Sequence, residues 1–250
     1  MYVAEWRLVE LRLRAEGPCP MAGWSGSAAY RILLETTRRE AEPKNKIYAH
    51  PIYVGGRPLL TGVDGRAAVL EPGTRLAIRA VMSEQDAYYL LAAVSKNPRP
   101  EAPCHLEAEQ LSLTALEPAL PDGHGFATVK LVFAPTAFMF HGRDVLYPSP
   151  QRIAYSLTKT YRDLFGTDLK QLADRAPTAL ELTHFAVRPV RVGIGEARAV
   201  PAYIGKAELA IYGNVETWLA LLKLGQATGV GISRAIGFGK YKIKEVKKHA

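Results

Sequence analysis

Cysteine is scarce. Only Cys19 and Cys104 occur in the 250 residues, and their spacing matches no metal-ligand pattern. They read as buried thiols, not as a disulfide. The six histidines stand far apart, and neither C-x-x-C nor H-x-x-x-H occurs, so the sequence offers no metal cluster and calls for no cofactor. Long apolar runs are missing too, which excludes a helical bilayer span. The amino terminus alternates charged and apolar residues where a signal peptide would carry an apolar block. A cytoplasmic chain with no membrane partner is expected. No G-x-S-x-G elbow is present, so an α/β-hydrolase is unsupported. Acidic residues are the minority: 24 against 32 lysines and arginines, a net charge of +8. That excess attracts polyanions, nucleic acid among them.

The chain does have enough apolar residues for a sizeable core, 48% of the total. Its positive charge is concentrated. From Lys223 to Ala250 there are seven lysines or arginines against a single acid, Glu245. The same stretch holds Gly229-Val230-Gly231-Ile232-Ser233-Arg234-Ala235-Ile236-Gly237-Phe238-Gly239, two Gly-apolar-Gly triplets around a central arginine. Glycine permits positive φ and close backbone approach. A loop of this composition can turn its amides outward, and exposed N–H groups beside a cation suit a phosphate. The pattern lacks the Gly-Lys-Ser/Thr ending of a Walker loop. It also follows a helix and precedes a strand, the reverse of the order a dinucleotide fingerprint requires. Gly229, Gly231, Arg234, Gly237 and Gly239 are therefore candidate phosphate-binding residues. Next come Lys240-Tyr241-Lys242-Ile243-Lys244, whose alternation places the lysines on one strand face. Lys240 and Lys242 join the candidate nucleic-acid surface.

Periodicity orders the elements. Residues 3–14 alternate as a strand, 26–40 have helical spacing, and 46–54 and 57–60 are extended pieces around Gly55-Gly56. A strand over 74–82, a helix over 84–95 opened by Ser83, and a strand over 104–116 follow. Pro118, Pro121, Asp122 and Gly123 mark a boundary, dividing the chain into domains 1–121 and 122–250. The second half repeats the order. Strand 127–140 comes first, then a helix from Ser149-Pro150 to Gly166 and strands 180–192 and 201–212. A helix from Asn214 to Gly225 and a strand from Phe238 complete it. Two β-α-β-β-α-β units make an α+β chain of two tandem ferredoxin-like domains.

The glycine loop resembles the signature of the CRISPR repeat-processing endoribonucleases, the sixth Cas family, in the RAMP superfamily. Leu131-Val132-Phe133-Ala134-Pro135-Thr136 with Phe138, Gly142 and Pro148 is similar to the opening of that family's second domain, and the Gly26–Leu34 helix with the Tyr48–Tyr53 strand to its first half. The resemblance implies metal-independent cleavage of precursor RNA within repeats, leaving a 2′,3′-cyclic phosphate and a 5′-hydroxyl. It implies repeat RNA as partner. It also implies a catalytic histidine just beyond the first helix, where His50 is the nearest candidate. Lys46 or Lys44 would neutralise phosphate charge, and Tyr30 would orient the substrate. Among the other histidines His141, before Gly142, is the alternative. A non-catalytic RAMP subunit holding RNA in a CRISPR effector complex would use the same loop and charge, and a small phosphorylated ligand is a further alternative.

Overall fold

The computed structural model describes residues 5–37, 46–100, 104–117, 119–194 and 198–249. Arg38, Arg39, Lys44, Pro118 and Gly195 lie outside them. In the first half β1 (Trp6–Ala15), β2 (Cys19–Met21) and α1 (Ser25–Thr37) lead to the short strands β3 (Tyr48–Ala49), β4 (Tyr53–Val54), β5 (Arg57–Pro58) and β6 (Ala68–Leu70). Then come β7 (Arg75–Ser83), α2 (Glu84–Lys96) and β8 (Leu106–Ala115). The main antiparallel sheet runs β5-β4-β7-β1-β8, with β3 also on β7. The alternation read in β1 is real: Val9, Leu11 and Leu13 are fully buried, while Arg12 and Arg14 face solvent. Ser83 caps α2, its Oγ accepting from the Asp86 amide at 3.2 Å.

The second half contains β9 (His124–Thr136), the hairpin β10 (Phe138–Phe140) and β11 (Arg143–Val145), and α3 (Pro150–Phe165). The short helices α4 (Lys170–Asp174) and α5 (Ala176–Ala179) follow, then β12 (Leu180–Gly193), β13 (Ala199–Asn214), α6 (Val215–Thr228) and β14 (Tyr241–His249). Its sheet runs β12-β13-β9-β14. With β1, the short β4, β7 and β8 of the first half and β9, β12, β13 and β14 of the second counted as first to fourth, both sheets have the spatial order second-third-first-fourth. This is the tandem ferredoxin-like arrangement expected from the order of elements.

Three details depart from the sequence reading. Cys19 and Cys104 form a disulfide, with Cα atoms 5.2 Å apart. The two residues are 85 apart in sequence, so no spacing rule could pair them. Gly225 does not end α6, which continues to Thr228. Its missing side chain instead makes room for the Tyr241 hydroxyl and Leu157. The short helices α4 and α5 carry no clear apolar period and were not anticipated.

The halves meet along a packed seam. Trp24 is buried there with Val63, Val190, Val192 and Phe238, and its ring lies edge-on to Phe238 at 5.7 Å. Trp6 Nε1 donates to the Leu164 carbonyl at 2.8 Å across the seam. Among the described residues no helix is long and apolar enough to cross a membrane.

Candidate functional site

The glycine loop is a clasp in this seam. The amides of Gly229, Val230 and Ile232 donate to the carbonyls of Gly225, Gly239 and Ala137, and the Gly231 amide to Ser156 Oγ. Those of Ile236, Gly237, Phe238 and Gly239 are likewise bonded within the protein. The loop also pairs with the first half: Ala49 N donates to Ala235 O at 3.2 Å, and Trp24 Nε1 to Ile236 O at 2.5 Å. The expected outward array of amides is thus corrected. Gly229, Gly231, Gly237 and Gly239 all have φ between +72° and +83°. A Cβ on Gly231 would collide with the Ala137 carbonyl, and one on Gly239 with Val230. These glycines are needed for backbone geometry and close approach. Only the tip, Ser233-Arg234-Ala235, keeps amides that make no hydrogen bond among the described residues.

Arg234 is the tip's chemical feature. Its guanidinium stacks over the Tyr48 ring at 5.0 Å and donates to Thr160 Oγ1 on α3. Partial burial pulls its pKa down, opposed by Tyr48 and Asp163. Lys46 approaches from the first half, with Nζ 3.5 Å from Asp163. Lys46, Tyr48, Arg234 and α3 therefore converge at one point of the seam.

His50 lies near this point but is enclosed, at 6% exposure. Its Nε2 is 2.8 Å from the Ala227 carbonyl, so that nitrogen carries the proton and donates. Nδ1 is left to accept from the Tyr53 hydroxyl at 3.2 Å. Burial pushes the ring's pKa well down, with the Lys240 and Arg79 charges adding to the effect. The ring of His50, the residue expected to be catalytic, is thus enclosed and bonded on both nitrogens in this structure. Tyr30 packs half-buried against the core of the first sheet, and no hydrogen bond joins it to His50 or Lys46 among the described residues.

Lys240, expected on an exposed strand face, is enclosed as well. It is 2% exposed, and its Nζ donates to Ala227 O at 2.7 Å and Tyr48 O at 3.3 Å. Burial, then the Arg234 charge, depress its pKa strongly. It caps the carboxy-terminal end of α6. Lys242 is exposed, but on the face of β14 turned away from the helices.

Sequence reasoning missed a groove beside the tip. It is a cavity of about 500 Å³ between α3, the β10–β11 hairpin and the glycine loop. Arg152, Lys159 and Arg234 line it, and no carboxylate does. Arg152 and Lys159 form no ion pair among the described residues. The period of α3 could have found them: positions 152, 155, 156 and 159 share one helical face. Among the described residues no three His, Cys, Asp or Glu side chains converge on a metal-binding arrangement.

The model of the CRISPR-associated endoribonuclease Cas6 family matches residues 131–241. A Cas6 endoribonuclease of Mycobacterium tuberculosis is 29% identical over 116 residues, a match spanning 44% of this chain and 36% of that protein's length. Among solved structures, a Cas6 product complex superposes with a TM-score of 0.72 at 18% identity, covering 96% of this chain and all of the other. Thermus thermophilus Cas6 superposes at 0.69, also at 18% identity, covering 98% and 100%. At that identity the structural likeness establishes the fold. The family model covers less than half of the chain, in its carboxy-terminal part.

Proposed function

We propose that the chain binds CRISPR repeat RNA along this seam and cuts it by transesterification. The observation that carries the reading is the groove beside the loop tip, lined by three cations and by no carboxylate. Phosphates are the fitting counter-charge for such a surface. In the proposed reaction the 2′-oxygen attacks the adjacent phosphorus and loses its proton to a base. The bond from phosphorus to the 5′-oxygen breaks, and that oxygen takes up a proton. The products are a 2′,3′-cyclic phosphate and a 5′-hydroxyl. Arg234 and Lys46 offset the charge that develops on the phosphorane oxygens. Tyr30 keeps its proposed role of orienting the substrate. His50 serves as base or acid only if its ring leaves Ala227 and Tyr53.

The enclosed His50 favours a second reading, a subunit that holds RNA without cutting it. Incubating the protein with repeat RNA in excess chelator separates the two. One cut per repeat, with cyclic phosphate ends, supports the endoribonuclease. Tight binding with intact RNA supports the holding subunit.

A further inference from the structure

The groove beside Arg234 has an aromatic wall whose exposure nothing in the fold explains. Tyr155 on α3 is 64% exposed, Phe140 on the hairpin 53% and Tyr147 47%. Large apolar side chains grouped in one concave place, next to unpaired cations, mark a binding surface. The cations are arranged along it. Arg152 lies over the Phe140 ring at 4.4 Å, making a composite flat surface of guanidinium and phenyl. Lys159 is one helical turn beyond Tyr155 on α3, on the side of Arg234.

We propose that this groove takes an unpaired nucleotide of the RNA. Its base stacks on Tyr155 and the Phe140–Arg152 surface, and its flanking phosphates meet Lys159 and Arg234. The chemistry selects this occupant. A duplex hides its base faces inside its own stack, so only a single-stranded base can use an aromatic wall. The cavity volume, about 500 Å³, is that of a small-ligand pocket. An acidic peptide would satisfy the cations but would leave the exposed Tyr155 and Tyr147 rings uncovered. The proposal rests on the RNA-binding reading above and adds to it that a single-stranded segment is what this surface recognises.

The test uses the full chain and two RNAs, a repeat-length single strand and the same strand annealed to its complement, with affinity measured by fluorescence anisotropy. Tyr155→Ala should weaken single-strand binding by about five- to a hundred-fold, the range for losing one base stack, and leave duplex binding unchanged. Tyr155→Trp should restore it. Because Tyr155 is mostly exposed, neither change should shift the melting temperature, and this control is measured alongside. Equal losses on both RNAs, or no loss on the single strand, would overturn the groove assignment while leaving RNA binding intact. Failure of the unmodified protein to bind either RNA at low salt would overturn the RNA reading itself.

Discussion

At the residue scale, two buried titratable groups share one acceptor, the Ala227 carbonyl. His50 and Lys240 both donate to it, and neither forms an ion pair among the described residues. His50 has its folded pKa pushed below the unfolded value near 6.5, so the unfolded chain binds the extra proton. Its contribution to stability is therefore present above pH 6.5 and lost as pH falls from there toward the folded pKa. Thermal denaturation followed from pH 7.5 to 5.5 should show a falling midpoint, and His50→Gln should flatten that slope. The same variant tests the sequence-based role of this residue, since cleavage that survives it, per folded molecule, removes His50 from the chemistry. Arg234 is the opposite case, a cation half in the seam and half in the groove. Arg234→Lys keeps the charge but loses the planar stack on Tyr48 and the fixed reach to Thr160. It should recover only part of the RNA affinity lost in Arg234→Ala, read as dissociation constants at one salt concentration.

At the scale of elements, the glycine loop was recognisable from its residues but its direction was not. Positive φ and close approach are two uses of glycine that share one sequence pattern, and the partner backbone decides between them. Here the partners are Val230 within the loop, and Ala137 and the His50–Pro51 segment from distant parts of the chain. The long strands and α1, α2, α3 and α6 were legible because their apolar periods are strong. The groove was not, because its walls come from three separate elements. The disulfide and the buried Lys240 escaped for the same reason. A lysine in a basic run looks solvated until a helix end arrives to bond it. Gly26 makes the clasp testable: a Cβ there would strike the Ile236 carbonyl, against which α1 is set. Gly26→Ala should cost on the order of 1–3 kcal/mol in urea denaturation, the range for overpacked contacts.

At the scale of the whole molecule, two sheets of identical strand order are joined by a clasp, a tryptophan-centred cluster and the Lys46–Asp163 pair. The Cys19–Cys104 bond lies within the first half and ties β2 to the segment leading into β8. Closing so long a loop is worth up to about 4–5 kcal/mol in the chain-entropy treatment. Reduction, or Cys104→Ser, should lower the melting temperature without changing RNA affinity, because neither cysteine touches the groove. The net charge of +8 and the unpaired groove cations call for RNA binding that weakens steeply with salt. All of this converges on the seam where Lys46 and Arg234 meet. The most direct measurement is cleavage of a cognate repeat RNA by the purified chain in excess chelator, with Lys46→Ala and Arg234→Ala beside it. A single cut ending in a 2′,3′-cyclic phosphate, slowed at least tenfold in both variants, is the expected result. An RNA left whole by the unmodified protein, or cut at full rate by both variants, would contradict it.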